Sequence, residues 1–447
     1  MRTSRFLYTS IALSIWVLCP SSVSALDLLE SYDAALLEDA DYQAARAAAD
    51  AGRELVPMAR AQLLPNISAS ASRMKNDLTS ESQTALGRTV TSESQYKSKS
   101  DSLTLRQPLY RPAQYAGYLQ AEARVTGVEA SFERAGKDLV LRLIEAYMNV
   151  LLAGNTLLQT EAQELAIKAQ LASATRAFEV GQGTRTDIDD AQAKLDLNIS
   201  RKLGTRQSIE QSRHELAVLI NRTVDQVKPL NNERLAQASL NPANLDEWMS
   251  QAGELSPELR ELQAQLEAAH HEVDRAWAGH KPTLDLVIQQ SMSSSDNITN
   301  PNSRYDNKQI GVQLTVPLFA GGYVIAQVSQ AQAAAVEAEK KLEAGRRKLA
   351  AQVRKEFNGV QEGILKIKAL EQAERSAIQS VRSNEKGFKA GTRTRVDILN
   401  AEEQLSNTRL ELGRERVRYV LSHARLLGLS GRLGRDEVIG LNLWLGE

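Results

Sequence analysis

The sequence predicts an α+β membrane protein built as an internal tandem repeat, with long coiled-coil helices and a transmembrane β-barrel to which each chain contributes four strands. Three observations carry that prediction. One turn motif recurs far along the chain, two very long stretches contain no proline, and two pairs of short alternating segments sit at matching places in the repeat.

Composition sets the frame. Among 447 residues there are only 25 Gly and 11 Pro, aromatics make up 5%, and the 42% apolar share is largely Ala, Leu and Val. Such a mixture suits long helices better than a bulky globular core. Lys+Arg 54 against Asp+Glu 55 leaves a formal charge of −1, so no net field draws the molecule to nucleic acid.

The first 25 residues read as a secretory signal. Arg2 and Arg5 supply the positive start, Phe6 to Val17 the apolar run, and Val23-Ser24-Ala25 the small residue before a cut after Ala25. Cleavage would also remove Cys19, the single cysteine, leaving no disulfide and no thiol chemistry. Trp16-Val17-Leu18 before that cysteine lacks the small residues of a lipoprotein signal, so no N-terminal lipid is expected. Beyond the signal no apolar run is long enough for a transmembrane helix. Membrane contact must then come from a closed barrel or from the surface.

The repeat organises the rest. Phe178-Glu-Val-Gly181-Gln-Gly183-Thr184-Arg185-Thr186-Asp187-Ile188 returns without a gap as Phe388-Lys-Ala-Gly391-Thr392-Arg393-Thr394-Arg395-Val-Asp397-Ile398. The same offset pairs Leu139 with Leu349, Leu143 with Val353, Tyr147 with Phe357 and Leu195 with Leu405. Two repeats follow, 26–228 and 257–431, joined by 229–256 and trailed by 432–447.

Each repeat opens on a helical segment, Leu26 to Ala61 or Pro257 to Ala278. Strands are expected near 64–72 and 100–109, and near 282–290 and 308–318. In the last, Ile310, Val312, Leu314, Val316 and Leu318 alternate with Gly311, Gln313, Thr315 and Pro317. One apolar and one polar face fit lipid outside and water inside, although any single segment would serve as an ordinary half-buried strand. The polar stretches between the strands, Asn76 to Lys97 and Ser291 to Asn307, read as long outer loops. Four strands cannot close a barrel, and lipid forbids an open edge. Three chains would provide 12, an even count wide enough for a water-filled lumen.

Long helices are expected over 113–179, 185–220, 322–388 and 394–428, with the glycine turns as their only strong breaks. Leu139, Leu143, Ala146, Val150, Ala153 and Leu157 follow a four-three spacing, a coiled-coil seam. Abundant Ala on both flanks suits helices packed on more than one side. No nucleotide-loop, zinc-protease or nucleophile-elbow motif is present. His270 and His271 are helix neighbours that point apart, a poor metal pair. No enzyme, cofactor or metal is expected.

With the duplication, the paired turns and the strand pairs in view, the chain resembles the TolC family of bacterial outer-membrane channel-tunnels over about Leu26 to Gly431. The turns at Gly181 and Gly391 are the most specific part. The resemblance implies a homotrimer with one 12-stranded barrel in the outer membrane and a helical tunnel through the periplasm. A belt of mixed structure would surround the tunnel near Pro229, Pro242 and Pro257. It implies a duct that takes substrate from an inner-membrane ABC transporter or other pump through a periplasmic adaptor (membrane fusion) protein. Leu26-Asp-Leu-Leu-Glu-Ser-Tyr leans the reading toward type I protein secretion, with small-molecule efflux as the alternative. From another class, a soluble periplasmic coiled-coil adaptor or scaffold would share the helices without needing the strands.

By the same resemblance the turns Gly181, Gly183, Gly391, Thr392 and Thr394 dock the adaptor, and Asp397, Asn400 and Asp187 narrow the entrance. Gate contacts carry over to Phe388, Arg393 and Thr186. Two departures matter: Phe388 lacks a hydroxyl to donate, and Asn400 is neutral. They leave Arg185 and Arg395 as candidates to hold the gate instead. Helix punctuation alone would explain the glycines but not the repeated Thr-Arg-x-Asp.

Overall fold

The computed structural model describes residues 25–236, 240–295 and 302–446. The expected signal segment, apart from Ala25, lies outside the described residues.

The opening segment, expected as one helical stretch, is three helices: α1 (Leu28–Glu38), α2 (Ala40–Arg53) and α3 (Leu55–Ala61). Asp39 makes the first break. Its backbone is extended, so α1 ends there, and its carboxylate accepts from the Tyr42 N–H at 2.7 Å to start α2.

The strands are longer than the alternation suggested: β1 (Asn66–Gln83) and β2 (Thr89–Tyr110) form one hairpin, β3 (Thr283–Ser295) and β4 (Ser303–Thr315) the other. Much of the expected outer loop Asn76 to Lys97 is therefore paired strand, from Asn76↔Tyr96 up to Gln83↔Thr89. Ladder hydrogen bonds need no apolar side chains, and the Ser and Thr there fit a pleated surface. The second expected loop is likewise paired at both ends, Ser291 with Asn307 through Ser295 with Ser303, while 296–301 lie outside the described residues. β4 stops at Thr315, short of the expected 318; Pro317 beyond it has no N–H to give the ladder.

All four strands make one antiparallel sheet in the order β1-β2-β3-β4, so β2 and β3 join the two repeats. Its register settles which faces are which. Ile67, Leu105, Ile288 and Ile310 lie side by side across the sheet, and Leu286 with Val312 and Leu284 with Leu314 continue the apolar face. On the other face Ser68, Thr104, Gln289 and Gln309 form the matching polar row. Past Ala71 the outer face turns charged, with Arg73 pairing Asp101 at 2.6 Å. An 18-residue β1 rises about 60 Å, far more than the apolar band of about 25 Å that a membrane barrel needs. Among the described residues, β1 and β4 each keep one unpaired edge.

Two long helices descend from the sheet and two return toward it. α4 (Pro112–Glu179, 68 residues) and α9 (Tyr323–Lys389, 67 residues) would each span about 100 Å. α5 (Arg185–Ile220) and α10 (Arg395–Leu429) return along their lower halves. Beside the upper half of α4 pack α2, α3 and α8 (Pro257–Trp277), and α8 also packs on α9. Short helices thus complete the wall where the return helices stop. The seam lies as spaced: Leu139, Leu143, Ala146, Val150 and Ala153 are buried, with Leu157 half-buried.

At mid-height the chain ends meet. Leu26 bridges to Val227 and Leu230 to Leu445. The Tyr147 hydroxyl donates to the carbonyls of Leu26 and Lys228, at 2.9 and 3.1 Å. The joining stretch carries α6 (Asn232–Ala236) and α7 (Leu245–Leu255), and the tail carries α11 (Arg435–Asn442). Trp248 of α7 is almost fully buried, and its indole N–H donates to the Pro242 carbonyl at 2.7 Å.

Candidate functional site

The two glycine turns are built by the same local chemistry. α4 ends at Glu179 and Gly181 follows at φ 75°, a conformation that side chains resist. Its N–H donates to the Phe178 carbonyl at 3.0 Å, and that of Gln182 to Ala177 at 2.8 Å. Gly391 repeats φ 75°, with matching bonds from Gly391 to Phe388 at 3.0 Å and from Thr392 to Gly387 at 2.9 Å. Around Gly181 and Gly391 the space is open, so φ alone demands glycine there. At Gly183 the demand is steric, since an added Cβ would stand 3.1 Å from the Phe178 nitrogen.

Helix punctuation explains more of the motif than the sequence reading allowed. Thr184 caps α5 and Asp187 completes a capping box: the Asp187 N–H donates to the Thr184 hydroxyl at 3.2 Å, and the Thr184 N–H to the Asp187 carboxylate at 3.1 Å. Thr394 and Asp397 repeat the box on α10, at 3.2 and 2.8 Å. Each threonine hydroxyl also donates to its aspartate at 2.8 Å. Those bonds hold both carboxyls below the usual range. For Asp187 the Thr184 hydroxyl leads, then its backbone, with the Arg395 charge adding; for Asp397 the Thr394 backbone leads, then its hydroxyl, with Arg393 adding.

What punctuation leaves unexplained is the arginine. The Arg395 guanidinium stands 5.2 Å from the Phe388 ring centroid, a cation–π contact in place of the hydrogen bond that Phe388 cannot make. The Arg395 carbonyl accepts from the Gln170 amide at 3.1 Å, so this residue links the two hairpins. Arg185, its counterpart, pairs among the described residues only with Asp189 of its own helix, at 3.2 Å, and is exposed. Arg393, Thr186, Thr392 and Asn400 are exposed as well. The structure thus brings Phe388 and Arg395 together, with the Arg395 charge acting on Asp187 of the other hairpin, and leaves Arg185, Asn400 and Thr186 exposed in the single chain.

Above the turns, Glu164 of α4 is held between Lys168, at 2.7 Å, and Lys202 of α5. Their hydrogen bonds press its carboxyl down to about 2. Sequence reading passed over this clamp, and passed over a second at the foot of the sheet. There Asp285 of β3, almost fully buried, accepts from Arg106 of β2 at 3.0 Å and from Arg111, just before α4, at 2.9 Å. It ties the second repeat to the first. One signal pointed to it: an aspartate between Leu284 and Leu286 in a strand is unfavourable unless its charge is partnered.

Comparison with known proteins follows the same outline. A family model described as outer membrane efflux protein matches residues 31–222 and 248–432, one block in each repeat. The alkaline protease secretion protein AprF of Pseudomonas aeruginosa is 31% identical over 451 residues, covering 100% of this chain and 93% of that protein. The proteases secretion protein PrtF of Dickeya chrysanthemi is 29% identical over 427 residues, 95% of this chain and 92% of its own. Among solved structures, the outer membrane protein VceC of Vibrio cholerae superposes with a TM-score of 0.76 at 18% identity, covering 90% of this chain and 96% of that one.

Proposed function

Because the chain belongs to the outer membrane efflux protein family, the TolC-like channels of the bacterial outer membrane, we propose that it is the outer-membrane exit duct of a tripartite export system. In this reading three chains close the barrel, the tunnel hangs in the periplasm, and the tips receive an adaptor that carries substrate from an inner-membrane transporter. The exported substrate is most directly protein, by a type I (ABC transporter) system. One observation carries that choice: two relatives named for protease secretion align along nearly the whole chain. The open four-stranded sheet with a continuous apolar row supports the barrel, which a soluble coiled-coil adaptor would not need. The chain performs no chemistry; it conducts.

A complementation experiment tests the reading. A strain that keeps the transporter and adaptor of a protease secretion system but lacks its outer-membrane component should regain protease in the medium when this protein is expressed. Protease retained in the cells, together with restored resistance to small toxic compounds, would instead support small-molecule efflux. The trimer has its own check, a heat-sensitive oligomer in detergent extracts of outer membranes.

A further inference from the structure

At the foot of the barrel, on the apolar side, a groove of about 690 Å³ opens between the start of α4 and the end of α8. Its walls are Leu109, Tyr110, Tyr115 and Trp277, each about half exposed. Tyr110 pairs with Leu284, so the groove continues the apolar face of the sheet downward. In the membrane orientation proposed above, that height is the boundary between the inner leaflet of the outer membrane and the periplasm, where amphipathic rings are favoured. The rim carries both signs of charge. Lys281 is exposed and, among the described residues, in no ion pair. Asp274 is exposed and faces only the His271 ring, at 3.6 Å. The third charged residue of the wall, Arg111, is already engaged by Asp285.

We propose that this groove is a binding site for one zwitterionic phospholipid of the periplasmic leaflet, with its phosphodiester against Lys281, its ammonium against Asp274 and an acyl chain along Leu109, Tyr110 and Trp277. Paired charges favour such a headgroup over a purely anionic one, which Asp274 would repel. The lipid would wedge the space between two helices that enter the membrane boundary from different repeats. The site depends on the outer-membrane location and not on what the duct exports.

The test is photolabelling of the full-length protein reconstituted in vesicles of phosphatidylethanolamine carrying a diazirine in the acyl chain, with labelled peptides mapped by mass spectrometry. Labels should concentrate on 109–115 and 274–281. Lys281→Gln should lower labelling there about fivefold, the factor implied by one basic residue near a phosphate surface. Lys281→Arg should restore it. Asp274→Asn should weaken labelling by the ethanolamine lipid while leaving a phosphatidylglycerol probe equal or stronger. A heat-sensitive oligomer retained in each variant shows that folding is intact. Labelling spread evenly around the apolar band, or unchanged in Lys281→Gln, would overturn the proposal. So would cross-links showing that a second copy of the chain fills the groove.

Discussion

The two glycine turns share a motif, a φ angle and a capping box, yet they differ in where the arginine after the turn goes. Arg185 pairs within its own helix. Arg395, at the same place in the repeat, covers Phe388 and sends its charge toward Asp187 of the other hairpin. Phe178, the counterpart of Phe388, stays largely exposed. Duplication therefore copied the local code of the turn, while the hydrogen bond between the hairpins runs from the Gln170 amide to the Arg395 main-chain carbonyl.

The largest expected effect tests what the turns have in common. Gly391→Val places a β-branched residue at φ 75°, where it costs on the order of 1–3 kcal/mol and puts bulk at an open tip. Secretion should fall strongly while the heat-sensitive oligomer and membrane insertion persist. Gly181→Val should do the same if both tips dock the adaptor, so normal export by either variant would remove that tip from the docking surface.

Next comes the difference between them. Arg395→Ala and Phe388→Ala should each raise single-channel conductance or antibiotic leakage, because the Phe388 ring holds the guanidinium whose charge acts on Asp187 of the other hairpin. Arg185→Ala should leave conductance near wild type. Combining Arg395→Ala with Phe388→Ala should add little to either alone. Equal effects of Arg185→Ala and Arg395→Ala would dissolve the comparison.

Charge gives a smaller effect. If a threefold axis gathers the second turns, Asp397 contributes three carboxylates to the entrance, and Asn400 contributes none. Cation selectivity in planar bilayers should then drop in Asp397→Asn and rise in Asn400→Asp. Since Asp397 also caps α10, Asp397→Asn must be compared with Thr394→Ala, which loosens the cap and keeps the charge. An unchanged reversal potential in Asp397→Asn would place the constriction elsewhere.

The smallest and broadest effect is that of pH. Both tip carboxyls are depressed in the folded chain, so their contribution is present at neutral pH and is lost as pH falls below the ordinary carboxylate range. Both turns should then loosen together in acid, seen as faster amide exchange at Thr184 and Thr394. The belt should respond earlier. His423, half-buried beside Tyr419 and Trp444, is pushed down to about 4 chiefly by loss of solvent around its ring. The unfolded chain binds its proton more readily, so this part of the stability is full above about 6.5 and declines toward 4. Trp444 fluorescence that stays constant from pH 7 to pH 4 would contradict it.

Much of this molecule was legible in its sequence because the signals are local or periodic. A helix interrupted only by glycine declares its length, a four-three spacing its seam, and alternation its barrel face. Duplication doubled each signal, so the turn at Gly181 vouched for the one at Gly391. The strands were read too short because only their lower parts alternate apolar with polar residues. Above Ala71 pairing rests on backbone hydrogen bonds, which leave no such mark. The capping boxes were visible as Thr-Arg-x-Asp, although their aspartates were first read for charge alone.

Other features depended on chain elements far apart in sequence. Nothing near Arg395 tells its carbonyl to meet Gln170, and nothing near Asp285 names Arg106 and Arg111, which the order β1-β2-β3-β4 brings to it. Glu164 meets Lys202 only because α5 folds back on α4. Sequence by itself determined the helices, the turns and the alternating faces, since each follows from neighbours within a few residues, and the repeat, since its two copies can be compared letter by letter. Tertiary structure decided which charges meet, because a buried or shared charge is set by what another segment places beside it, and one-dimensional spacing carries no record of that approach.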